Sequence, residues 1–103
     1  MARASERRLS ELKAQIVANT AWAFATVNHR ELLLFEALAR AAEYWLSEFK
    51  VQELANTAWA FASVNHRDDE LFAALARAAE RRLSEFNAQN LANMAWAFAT
   101  MNH

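Results

Sequence analysis

Apolar residues recur along this chain at the three-and-four spacing of a helix, in two alternating styles. One style is a single stripe: Phe35, Leu38, Ala42, Leu46 and Phe49, repeated as Phe72, Leu75, Ala79, Leu83 and Phe86. Glu36, Arg40, Glu43 and Ser47 fall largely outside it. The other style is apolar on most sides. Val17, Ala21 and Phe24 share a face, Ala14, Ala18 and Ala25 form a small-residue face beside it, and Trp22 points nearly opposite to Phe24. A helix of that kind needs neighbours on most sides. The pattern predicts an A helix over about 14–27, recurring at about 51–64 and 88–101. It predicts a B helix over about 31–47 and 69–84, with residues 2–11 as a truncated copy of B. Asp68 and Asn87 are good N-cap types. Asn-His at 28–29, 65–66 and 102–103 is expected to end the A helices: Asn tolerates the left-handed conformation, and His meets a favourable dipole at a helix C-terminus.

These styles alternate because the chain repeats. Lys13–Phe49 lies over Lys50–Phe86 without a gap, a period of 37 residues, with 27 of the 37 pairs identical. The reading divides the chain into a truncated B helix (1–12), two full repeats (13–49 and 50–86) and an unpaired A helix (87–103). Antiparallel pairs stacked with A beside A and B beside B satisfy both helix styles. The expectation is an all-α fold, an α-solenoid of helix-turn-helix repeats. The bare A helix at the end suggests either a piece of a longer array or an open end that docks on another protein or another copy.

Composition narrows the classes further. In 103 residues there is no Gly, Pro or Cys, and 55% are apolar. Sheets and hairpin turns have nothing to build on, and disulfides, thiolate zinc sites and thiol nucleophiles are excluded together. Eleven Lys and Arg against twelve Asp and Glu leave a net charge of −1, which neither advertises nor forbids a polyanion partner. No apolar run reaches the roughly 18 residues of a membrane span. No carboxylate pair, Ser/His/Asp set or phosphate-binding Gly loop is present, so an enzyme is not expected, and no cofactor is implied. The three His do not make a metal site. Zinc ligands bind at about 2.0–2.1 Å, whereas equivalent positions in successive repeats lie about 10 Å apart.

Two groups of residues carry candidate chemistry. The first is a column on each A helix: Gln15, Asn19, Trp22 and Thr26; Gln52, Asn56, Trp59 and Ser63; Gln89, Asn93, Trp96 and Thr100. Indoles stack on bases and amides pair with base edges, so a ladder of such columns suits single-stranded RNA. Equally, Trp could fill the gap between successive A helices while the amides bond along the stack. Position 16 varies from Ile16 to Glu53 to Asn90, and Thr20 and Thr57 become Met94; a modular reader and a neutral exposed site both show such variation. The second group breaks the repeat. Leu32, Leu33, Tyr44 and Trp45 stand where the next copy has Asp69, Glu70, Arg81 and Arg82. They form either a protein-contact patch or a surface lidded by Arg7, Arg8, Arg81 and Arg82 through cation–π contacts.

The phrase Leu54-Ala-Asn-Thr-Ala-Trp-Ala-Phe-Ala62, preceded by Phe-Lys-Val-Gln at 49–52 or Phe-Asn-Ala-Gln at 86–89, resembles the octotricopeptide repeat family, which is related in architecture to pentatricopeptide proteins. The resemblance implies an RNA-binding α-solenoid acting in chloroplasts or mitochondria on transcript stability, processing or translation, although no targeting segment stands in this chain. The expected function is thus a non-catalytic RNA-binding module using the helix-A column. The alternative is a structural subunit that stacks with itself or docks in a larger complex through its open ends and the Leu32/Leu33/Tyr44/Trp45 patch. Neither reading involves membrane insertion.

Overall fold

The computed structural model describes residues 2–27 and 31–101; Asn28, His29, Asn102 and His103, two of the three expected Asn-His stops, lie outside them. The described residues form five α-helices and no strand: α1 (Ala2–Thr26), α2 (Leu32–Trp45), α3 (Val51–Ser63), α4 (Asp69–Arg81) and α5 (Ala88–Met101). Short 3₁₀ turns at Leu46–Glu48 and Leu83–Glu85 follow α2 and α4, so the B helices end sooner than their apolar stripe suggests. Helix α3 packs between α1 and α5, while α2 and α4 lie against one another and against that row. The molecule measures 46 × 32 × 22 Å.

One sequence expectation fails at the start of the chain. Residues 2–11 and 14–27 do not form two helices; α1 runs unbroken for 25 residues. The later copies show why. At the start of α3 the Lys50 N–H donates to Glu53 Oε1 at 2.9 Å. At the start of α5 the Asn90 N–H donates to Asn87 Oδ1 at 2.7 Å, and the Asn87 N–H donates to Asn90 Oδ1 at 3.4 Å. These bonds satisfy N–H groups that a helix start leaves unpaired. Ile16 occupies the equivalent position in α1 and has no acceptor to offer. The break is also stabilised by Phe49, whose extended backbone turns its ring into the core. Leu12 stands there in the first copy, is exposed, and is a good helix former. With no cap and no ring to bury, the helix continues. Glu53 and Asn90 are both buried, so the variation at position 16 reports where a helix begins, a role that neither sequence reading anticipated.

The described Asn-His stop behaves as expected. Asn65 adopts φ 57°, the His66 N–H reaches back to the Phe61 carbonyl at 2.9 Å and the Asn65 N–H to that of Ala62 at 3.0 Å. Beyond ending α3, the His66 ring packs on Phe35 and Phe61 at 6.0 and 5.6 Å between centroids. Asp68 caps α4, accepting from the Leu71 N–H at 2.9 Å, and Glu31 caps α2 through the Leu33 N–H at 3.1 Å.

Helix α3 shows how the core is divided. Glu53, Thr57, Ala60 and Val64 are buried on one side, Ala55, Ala58 and Ala62 on the opposite side, and Leu54 and Phe61 between them. At 3.6 residues per turn these are three faces about a quarter-turn apart. They serve α1, α5 and the B layer. Helix α1 contributes Ala14, Ala18, Ala21 and Ala25 to the row, and α5 contributes Asn90, Met94, Ala97 and Met101. Between the layers, Phe35 meets Phe61 edge-on at 5.2 Å, and Phe72 meets Phe98 in the same way one period later at 5.2 Å. The B stripe is buried most deeply at its first three positions and less at the fourth. Leu46 is half-buried beside α4, but Leu83 is exposed, because no described element covers it.

Arg40 ties α2 to α4. Its guanidinium lies 2.6 Å from Glu43, 2.7 Å from Asp68 and 2.5 Å from Glu70. The hydrogen bond to Asp68 above all, with the surrounding carboxylates, raises its pKa above the ordinary arginine value. A raised folded-state pKa means this stabilisation is fully present at neutral pH and is lost only as pH climbs through the arginine range. Arg40→Ala should lower the urea midpoint at pH 7, and the difference from the parent should shrink in 1 M salt, because the pair is exposed to screening. Thr57 has a fully buried hydroxyl without a partner. An unsatisfied buried hydroxyl costs about 1–3 kcal/mol, so Thr57→Val should raise stability by about 1 kcal/mol in the same measurement.

Candidate nucleic-acid interface

The three faces of α3 that pack leave a fourth, and this fourth face carries the column. Gln52, Asn56, Trp59 and Ser63 project from α3 away from the B layer, and none of them is fully buried. Gln15, Asn19, Trp22 and Thr26 do the same on α1, as do Gln89, Asn93, Trp96 and Thr100 on α5. Lateral packing of the A helices therefore brings all three columns onto one surface. Trp22 and Trp96 are 45% and 46% exposed, while Trp59, in the middle, is half-buried. Trp22 and Trp59 lie 6.5 Å apart with their planes tilted by 36°.

The polar groups divide by type. The Thr26 hydroxyl donates to the Trp22 carbonyl at 2.8 Å and the Ser63 hydroxyl to the Ala60 carbonyl at 3.0 Å, so their protons are used within their own helices. The amides are different. Among the described residues, none of Gln15, Asn19, Gln52, Asn56, Gln89 and Asn93 has a side-chain partner, so they do not bond along the stack. Trp59 does follow the packing expectation in part, since it lies against the core and against Trp22. The surface is thus a row of solvated amides beside aromatic faces. At its edge a groove of about 300 Å³ is lined by Arg8, Glu11, Leu12, Gln15, Lys50 and Glu53, placing two cations beside the first column.

The second candidate group is not brought together. Leu33 and Tyr44, 73% and 76% exposed, are eleven positions apart on α2, which is about 16 Å along a helix, and Arg40 lies between them. Leu32 is exposed and lines a hollow with Phe35, Val64, Asn65 and His66 at the turn after α3. Trp45 turns inward, half-buried, with Tyr44 edge-on to it at 4.8 Å. The expected arginine lid is replaced: the cation over the Trp45 ring is Lys13, at 5.3 Å. Arg82 instead donates to the Phe49 carbonyl and pairs with Glu85 at 3.2 Å. Arg81 lines a groove with Tyr44 and Arg77, and the side chain of Arg7 is outside the described residues.

Sequence reading missed the roles of Lys13 and Arg40. Lys13 sits just before the register of an A helix and reaches the end of the B helix of its own repeat, a contact between residues 32 positions apart that periodicity does not reveal. Arg40 gives a faint signal: Asp68 and Glu70 both lie at the start of the next B helix, α4. Glu43, Asp68 and Glu70 bring carboxylate oxygens within 4.8 Å of one another, which resembles a cation site. The Arg40 guanidinium already lies among all three as their cation.

Neither a curated protein nor a solved structure matches the chain. A family model does, over residues 1–103, and it describes the RNA-editing substrate-binding complex 6 protein. It is not an octotricopeptide model; what the match retains of that resemblance is an RNA-associated helical protein. No described helix is long and apolar enough to cross a membrane. An all-helical chain with a solvated amide and indole surface, matched from end to end, belongs to the RNA-editing substrate-binding complex 6 protein family.

Proposed function

We propose that this chain is a non-catalytic RNA-binding module within a protein–RNA complex, that its repeats form a solenoid of 37-residue period, and that the A-layer column touches the strand. The observation that carries this reading is the state of the six amides. They face solvent in three parallel columns, unbonded, each column with its indole. Single-stranded RNA needs what they provide: aromatic faces for stacking, and donor and acceptor pairs for base edges. At the rim, Arg8 and Lys50 stand beside Glu11 and Glu53, so the stacking and edge-pairing groups rather than phosphate contacts carry the reading. The family's printed name, with its RNA-editing substrate-binding complex, supports RNA and protein as partners. The octotricopeptide resemblance supports an organellar role in transcript stability, processing or translation. Exposed Leu32, Leu33 and Tyr44 favour a second reading, in which the B layer meets a protein within the same complex.

Magnitudes set the scale. A stacked base contributes about 1–3 kcal/mol, so three rungs give roughly 3–9 kcal/mol before ordering costs. That corresponds to millimolar to sub-micromolar dissociation constants. Fluorescence anisotropy with labelled 12-nucleotide homopolymers at 20 mM salt should detect binding. Trp22→Ala with Trp96→Ala removes two exposed indoles without opening the core, and should weaken binding at least tenfold while the far-UV circular dichroism stays unchanged. Absence of binding at low salt, or equal binding by the parent and the double variant, defeats the reading.

A further inference from the structure

One repeat position carries a serine in all three copies: Ser10, Ser47 and Ser84. The residues three and two places before it are the pair that breaks the repeat. They are Arg7 and Arg8 in the first copy, Tyr44 and Trp45 in the second, and Arg81 and Arg82 in the third. No other serine or threonine of the chain has arginine at both places. A hydroxyl preceded in this way by two guanidinium groups has the charge pattern that arginine-directed protein kinases select. Acidic pockets of such a kinase hold the two cations while the hydroxyl reaches the transferred phosphoryl group.

Local structure separates the three serines. Ser10 has the arginines but lies half-buried inside α1, with helical residues on both sides of it. Phosphoryl transfer needs the hydroxyl oxygen in line with the phosphorus, and a residue inside a continuous helix cannot lie along a kinase cleft. Ser47 is exposed in the 3₁₀ turn after α2 but lacks the arginines. Ser84 has both features. It is exposed in the 3₁₀ turn Leu83–Glu85, between the end of α4 and the start of α5. Its hydroxyl has no hydrogen-bond partner among the described residues. Two backbone bonds hold that turn, from the Glu85 N–H to the Arg82 carbonyl at 2.9 Å and from the Phe86 N–H to the Leu83 carbonyl at 3.1 Å, so little has to open.

The middle copy shows that this exposure belongs to the repeat position itself. Helix α2 packs against both α1 and α4, and still Ser47 is exposed and Tyr44, the counterpart of Arg81, is 76% exposed. The accessibility of Ser84 and Arg81 therefore does not depend on α4 lacking a further neighbour. Arg82 donates to the Phe49 carbonyl and pairs with Glu85 at 3.2 Å. An ion pair so near the surface is weak enough for a kinase's carboxylates to replace.

We propose that Ser84 is phosphorylated by a protein kinase that recognises arginines two and three residues before its target. In the transfer, the Ser84 Oγ bonds to the γ-phosphorus of a nucleoside triphosphate held by the kinase. The bond from that phosphorus to the β–γ bridging oxygen breaks, the nucleoside diphosphate leaves, and the hydroxyl proton passes to the kinase's catalytic carboxylate. The product places about 1.5–2 negative charges next to Glu85, where they compete with it for Arg82. This inference does not rest on RNA binding.

Incubation of the 103-residue chain with magnesium, ATP and the catalytic subunit of cyclic-AMP-dependent protein kinase, a kinase of this specificity, tests it. Tandem mass spectrometry should place one phosphate on Ser84, formed at least about tenfold faster than any on Ser10 or Ser47. Ser84→Ala should abolish it. Arg81→Gln should slow it at least about tenfold, and both variants should keep the far-UV circular dichroism of the parent because the two residues are exposed. A chain that stays unmodified, a phosphate that forms first on Ser10 or Ser47, or a rate indifferent to Arg81→Gln overturns the proposal.

Discussion

The close lateral approach of α1, α3 and α5 is the contact on which the rest of the molecule depends. Ala14, Ala18, Ala21 and Ala25 on α1, and Ala55, Ala58 and Ala62 on α3, keep side chains short where one A helix meets the next. Small residues let helices pack near the lower end of the usual 8–10 Å separation. Once that row is formed, α3 has neighbours on two opposite sides, and the B layer covers a third through Phe35 and Phe61. The only direction left for Gln52, Asn56 and Trp59 is outward. The candidate interface therefore follows from the alanines, which carry no chemistry of their own.

The same geometry explains why nearly identical copies behave differently. Leu54 and Leu91 occupy one repeat position, yet the first is buried and the second exposed. Leu46 and Leu83 differ in the same sense. What separates each pair is the number of described neighbours, since the same residue is buried where a further element lies against it and exposed where none is described.

Polar groups within this arrangement fall into three sets. Glu53 and Asn90 start helices from buried positions. Arg40 gathers carboxylates from α2 and from the start of α4, adding an exposed ion cluster to the apolar packing of the B layer. The column amides do neither. Membership of the RNA-editing substrate-binding complex 6 protein family gives that idle set a context in which both RNA and protein are expected nearby.

Much of this was readable from residue order. The 37-residue period, the absence of Gly and Pro, and the three-and-four spacing determined an all-helical chain with A and B helices of distinct character. Asn65 and Asp68 announced their roles because a left-handed stop and an N-cap depend on one residue's local chemistry. Other features depended on what stands across a contact. Whether Ile16 lies inside a continuous helix or begins a new one turns on a missing acceptor and on whether Leu12 has a core to enter. Whether Trp45 is a surface patch or a ring beneath Lys13 turns on the path of α1. Periodicity specifies which residues share a face; only the packed neighbours decide which faces water reaches, because burial is a property of pairs of elements and not of either one alone.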